Sequence, residues 1–134
     1  MESSKILLIA IAFFSFAGLA SAGHAENQAI IITGADDGKQ ITVPEGSTFE
    51  VRLEQRGATG YSWEIVHPDQ TYVEVLESSN TPLSEAPKAG GPVQKTWRIK
   101  ALKAGQTELN IYLYRPWEGI EKAAERFHVT IRIQ

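Results

Sequence analysis

The 134-residue sequence predicts an all-β fold, an immunoglobulin-like antiparallel β-sandwich. Three observations lead there. From residue 29 onward the hydrophobic period is two, not 3.6, which puts one face of each segment in a core and the other in water. Turn residues interrupt the pattern at short intervals, the spacing of an all-β sandwich. The chain has no Cys, so a hydrophobic core must hold it without disulfides, and a mature length near 110 residues suffices for that.

The strands follow in order. Alternation predicts strands at 29–33, 41–43, 48–55, 61–66, 73–78, 94–101, 107–114 and 126–133. Phe49, Val51 and Leu53 alternate with Glu50, Arg52 and Glu54. Trp63 and Ile65 alternate with Ser62 and Glu64, and Val73 and Val75 flank Glu74. Trp97, Ile99 and Ala101 face one way, Arg98 and Lys100 the other. Leu109, Ile111 and Leu113, then Phe127, Val129, Ile131 and Ile133, repeat the pattern. Turns fall at Asp36-Asp37-Gly38, Pro44-Glu45-Gly46, His67-Pro68-Asp69 and Lys103-Ala104-Gly105. The stretch 79–93, rich in Ser, Asn, Pro, Lys and Gly, reads as a long mobile loop.

The first 22 residues stand apart. Lys5, the apolar run Ile6 to Phe14 and the small residues Ala20-Ser21-Ala22 are the parts of a secretory signal peptide. Cleavage after Ala22 is favoured, with Ala25 as a second site and an uncleaved membrane anchor as the competing reading. The core run is short for a membrane span. Residues 23–134 then form one exported domain, secreted or periplasmic, a monomer free of the membrane once the signal is gone. Loss of Glu2 and Lys5 leaves the formal net charge at −3. That mild acidity argues against nucleic acid as a partner, because phosphate binding needs a basic face.

Three segments break the alternation with turn residues and aromatics. They are Thr59-Gly60-Tyr61-Ser62-Trp63, Ala89-Gly90-Gly91 and Arg115-Pro116-Trp117-Glu118. If successive strands run up and down, the loops after the third, fifth and seventh strands lie at one end, so these motifs become neighbours. Gly60 suits a sharp turn into Tyr61; the segment is either a plain hairpin turn or an exposed tip. The Gly90-Gly91 pair by itself signals only flexibility. Pro116 stiffens the third loop. Trp117 either folds back to cap the sandwich or stands out as an interface anchor beside Arg115.

Nothing in the chain points to catalysis or to a cofactor. His24, His67 and His128 lack metal-ligand spacing. Ser62 and Ser84 carry no nucleophile signature. Without Cys there is no thiol chemistry.

Together the three segments resemble the chagasin-type inhibitors of papain-like cysteine proteases. That family carries Asn-Pro-Thr-Thr-Gly-Tyr/Phe-x-Trp, Gly-x-Gly-Gly and Arg-Pro-Trp or Arg-Pro-Phe in three successive loops. Thr59 to Trp63 matches the end of the first motif, Ala89-Gly90-Gly91 the end of the second, and Arg115-Pro116-Trp117 all of the third. Arg56, Gly57 and Ala58 replace the family's Asn, Pro and first Thr, and Lys88 replaces the first Gly of the second motif. With Gly in place of Pro the first loop is expected to be looser.

The resemblance implies a reversible, non-covalent inhibitor whose partner is a papain-like cysteine protease. Thr59, Gly60 and Tyr61, Ala89, Gly90 and Gly91, and Arg115, Pro116 and Trp117 would contact the protease. The Thr59 loop would lie near the catalytic Cys and His, and Trp117 on the primed-side wall. The alternative is a secreted immunoglobulin-like module that binds carbohydrate or peptide on Trp117 and Tyr114.

Overall fold

A computed structural model describes residues 29–57, 59–83 and 91–134. The proposed signal peptide, Ala58, Lys88, Ala89 and Gly90 lie outside the described residues. Eight strands form two four-stranded sheets. They are β1 (Ile30–Thr33), β2 (Gln40–Val43), β3 (Thr48–Arg56), β4 (Ser62–Ile65), β5 (Val73–Pro82), β6 (Pro92–Ala101), β7 (Gly105–Tyr114) and β8 (Glu125–Ile133). One sheet has the order β1-β3-β6-β5 and the other β2-β8-β7-β4. The long pairings are antiparallel. Only the short edge strands depart, β1 running parallel to β3 and β2 parallel to β8.

This edge arrangement comes from the way the chain crosses between sheets early. Thr33 and Asp36 form a reciprocal cap around the 3₁₀ turn Gly34–Asp36: the Thr33 hydroxyl accepts from Ala35 N, and the Asp36 carboxylate accepts from Thr33 N. Such a cap satisfies donors that the turn would otherwise leave free. Asp37 then accepts from the backbone N–H of His128 at 2.9 Å. The crossover is thereby tied to β8, and β2 is delivered to the edge of the second sheet.

The core is the set of inward residues that alternation marks. Phe49, Val51 and Leu53 on β3, Trp97, Ile99 and Ala101 on β6, Leu109, Ile111 and Leu113 on β7, and Phe127, Val129, Ile131 and Ile133 on β8 are all buried between the sheets. Each Val, Leu, Ile or Phe side chain among them contributes roughly 1.5–3 kcal/mol on burial. Trp63 and Trp97 are both core residues.

Two expectations are corrected at β5. The stretch 79–93 is not one long loop. β5 continues through Pro82, β6 begins at Pro92, and the ladder holds as far as Pro82↔Val93. Backbone pairing along the edge of a well-formed β6 outweighs the weak strand propensity of Ser, Asn and Thr, and Pro is tolerated at an edge. Val75 is also not a core residue. It is exposed, as is Leu76: Val75 still pairs in register with Ile99, but β5 is the edge strand of its sheet, and the register slips only beyond Val75, before Glu77. A bulge of this kind moves the following residues off the expected face.

The parity argument holds. Among the described residues, Gly57 N donates to Gly91 O and Arg115 Nε donates to Thr59 O, which puts the end of β3, the start of β6 and the end of β7 at the same end of the sandwich.

Candidate functional site

The first loop leaves β3 after Arg56 and enters β4 at Ser62. Its shape is set by Thr59 and Gly60. The Thr59 hydroxyl donates to Arg56 O and accepts from Tyr61 N, both at 3.3 Å, so the side chain closes a small turn on itself. Gly60 has φ +85°, a left-handed conformation that side chains with a Cβ resist. Thr59 and Gly60 are exposed, whereas Tyr61 is half-buried and packs against the core. Immediately behind them, two side chains secure the open edge of β4. Gln55 Oε1 accepts from Trp63 N at 3.0 Å, and Lys95 Nζ donates to Trp63 O at 2.9 Å.

Lys95 is a residue that motif reading passed over. It sits on the inward face of β6, two residues before Trp97, and is only 9% exposed. Its ammonium bonds the Trp63 carbonyl, lies 3.2 Å from Glu64 Oε2 and 5.4 Å from the centre of the Trp97 ring. A buried charge needs this degree of pairing to be tolerated. The signal was present in the sequence, since Lys95 has the same parity as Trp97, Ile99 and Ala101. The result is a polar cross-link between the two sheets under the first loop.

The third loop is held from within. Glu118 N and Gly119 N both donate to Arg115 O, at 2.9 and 3.2 Å, which makes Arg115-Pro116-Trp117-Glu118 a tight turn. A 3₁₀ turn at Ile120–Lys122 follows, and Ala124 N returns to Leu113 O at 2.7 Å. The Arg115 side chain points back toward the first loop. Its Nε donates to Thr59 O at 3.0 Å, its Nη1 lies 3.4 Å from Glu118 Oε2, and its guanidinium stacks 4.3 Å from the centre of the Tyr61 ring. Arginine's planar fork suits this combined stacking and hydrogen bonding. Arg115 therefore fastens the first loop to the third.

Trp117 resolves the choice between capping and presentation. It is 71% exposed, against 5% for Trp63 and 3% for Trp97. It is not loose. A Cβ built on Gly60 would collide with Trp117 Cη2 and lie 3.0 Å from Cζ2, so one edge of the indole rests directly on the Gly60 backbone. The absence of a side chain at Gly60 thus permits both the turn and the seat of the tryptophan.

Of the second motif, only Gly91 is described. It lies at the foot of β6, where its carbonyl accepts from Gly57 N at 3.0 Å. Leu83 N donates to Pro92 O at 3.1 Å across the base of the same hairpin. A groove of about 720 Å³ opens beside these feet, bordered by Glu54, Arg56, Thr59, Tyr61, Arg115 and Glu125 among others. The fold thus brings together Thr59, Gly60, Tyr61, Gly91, Arg115, Pro116 and Trp117.

Comparison with known proteins agrees with this arrangement. Residues 42–131 match the family described as chagasin family peptidase inhibitor I42. Chagasin of Trypanosoma cruzi is 29% identical over 106 residues, which cover 75% of this chain and 94% of the relative. The crystal structure of the cysteine protease inhibitor EhICP2 from Entamoeba histolytica has the same fold. It aligns with a TM-score of 0.71 at 20% identity, over 79% of this chain and 96% of that one. The structure of PbICP-C in complex with falcipain-2 aligns with a TM-score of 0.53 at 19% identity, over 88% of this chain and 96% of that one. With the family match spanning both sheets and the first and third loop motifs meeting at one end of the sandwich, the chain belongs to the chagasin family of peptidase inhibitors and is an inhibitor, not an enzyme.

Proposed function

We propose that this protein is a reversible, non-covalent inhibitor of papain-like cysteine proteases, which it blocks by inserting the loops at one end of the sandwich into the active-site cleft. The observation that carries this reading is the pairing of an exposed Trp117 with the Thr59–Gly60 turn on which it rests. A large apolar surface costs free energy in water, and a rigid one loses little entropy when it is covered. The description of EhICP2 as a cysteine protease inhibitor and the occurrence of PbICP-C in a complex with falcipain-2 support the same partner class. Thr59 and Gly60 form the tip of the wedge, Trp117 is its aromatic flank, and Gly91 stands at the foot of β6 beside the first loop. Tyr61 and Arg115 hold the wedge in shape from behind.

The chain has no Cys, so disulfide exchange with a protease thiol is closed to it. Titration of residues 23–134 into papain with a fluorogenic peptide should abolish turnover, and activity should return on dilution. Trypsin should be unaffected. A covalent adduct on papain, or equal inhibition of trypsin, would refute the mechanism.

We also propose that residues 1–22 direct export and are removed, which places the inhibitor outside the cytoplasm. The positively charged start, apolar run and Ala20-Ser21-Ala22 support this reading. The intact mass of protein recovered from the exported fraction should correspond to a chain starting at Gly23. Retention of Met1 would contradict it.

A further inference from the structure

The first and second loops leave the sandwich as the two arms of one ladder. β3 and β6 pair from Thr48↔Lys100 to Arg56↔Pro92. The bond from Gly57 N to Gly91 O, 3.0 Å long, is the next step in that register. It therefore continues the sheet into the feet of both loops. This rung requires an N–H at position 57. Proline, the residue the family pattern places there, has none. Pro92 likewise cannot donate, so among the described residues the Gly91 carbonyl makes the last β3–β6 contact on the β6 side.

We propose that Gly57 is a positioning residue that locks the first two loops of this inhibitor into a single unit, through a backbone bond that the family's proline cannot make. The proposal rests on the inhibitory reading above. The family pattern stiffens the first loop by restricting φ. In this chain the stiffness comes from a rung shared with the second loop. Gly91 is then fixed from β3 through Gly57, while Leu83 N to Pro92 O closes the base of its hairpin. The first loop is in turn tied to the third by Arg115. The described ends of the three loops are thus joined by separate hydrogen bonds, Gly57 N to Gly91 O, Thr59 Oγ1 to Arg56 O and Arg115 Nε to Thr59 O. Replacement of Pro by Gly is expected on its own to loosen a loop; here the rung offsets that loss.

The test compares two variants and one measurement on the free protein. Gly57→Pro restores the family residue but deletes the N–H; Gly57→Ala keeps the N–H. A typical backbone hydrogen bond contributes about 1 kcal/mol net, so Gly57→Pro should weaken papain inhibition by roughly fivefold. Gly57→Ala should stay within about twofold of the parent, and both should keep the parent's thermal midpoint within a few degrees. In the uninhibited, unbound parent, the Gly57 amide should exchange with solvent at least about tenfold more slowly than an unprotected amide. Inhibition by Gly57→Pro that equals or exceeds the parent's would overturn the proposal, as would a Gly57 amide that exchanges at the unprotected rate. Equal weakening by Gly57→Ala would also overturn it, because the N–H would then be irrelevant. The exchange measurement needs no protease, so failure of the parent to inhibit papain would refute the function while leaving the rung to be judged by itself.

Discussion

Trp117→Ala is expected to weaken papain inhibition by about thirtyfold and to leave the thermal midpoint close to the parent's. The first half follows from the loss of an exposed aromatic anchor at an interface, which typically costs on the order of 2 kcal/mol. The second half follows from position. At 71% exposure, Trp117 contributes little to the core, whereas truncation of a buried tryptophan would cost roughly 3–5 kcal/mol of stability. Trp97→Ala provides that contrast, since Trp97 is a core residue. A more direct measurement is ¹⁹F NMR of inhibitor labelled with 5-fluorotryptophan. Three resonances are expected, one for each Trp, and only that of Trp117 should shift markedly on adding inactivated papain. Unchanged inhibition by Trp117→Ala, or a loss explained by unfolding, would rule out the anchor.

Gly60→Val should cost more than removal of the tryptophan itself. Two effects act together. A β-branched residue at φ +85° adopts a conformation that costs roughly 1–2 kcal/mol. Its Cβ also occupies the space of Trp117 Cη2, so the indole must leave its seat and the anchor is lost as well. The combined cost is about 3–4 kcal/mol, a hundredfold or greater loss of inhibition. Gly60→Ala should show the same two effects in milder form. If the double variant Gly60→Val with Trp117→Ala inhibits better than Gly60→Val alone, collision with the indole is the main cause. If the two changes are simply additive, the seat described here does not exist, because coupled neighbours must depart from additivity.

How far these residues could be read from the chain depends on the range of the interactions involved. Phe49, Val51 and Leu53, or Phe127, Val129 and Ile131, reveal their burial through period two alone, because strand geometry is local. The placement of three loops at one end follows from counting strands, with no knowledge of how the sheets pair. The third motif is legible because Pro116 and Trp117 are adjacent in sequence.

The contacts that give the site its shape are of another kind. Arg115 to Thr59 spans 56 positions, and Lys95 to Trp63 spans 32. Such pairs arise only when two sheets have packed and the loops have met. Beside Trp117 on a sequence, Arg115 looks like part of the presented surface, yet it turns inward because Tyr61 and the Thr59 carbonyl offer a stack and an acceptor. Lys95 falls on the inward face by parity, yet its role stays hidden, because alternation identifies a face and not the partner waiting on it. The extension of β5 through Pro82 was hidden for a similar reason, since the pairing offered by β6 outweighs local composition.

The sequence by itself determined the sandwich, its core and the end at which the loops gather, because side-chain period and strand parity are properties of the chain. Only the tertiary structure decided that Trp117 rests on Gly60, that Arg115 is a clamp and that Gly57 supplies a rung to Gly91. Those outcomes depend on distances across the fold, which no spacing along the chain encodes.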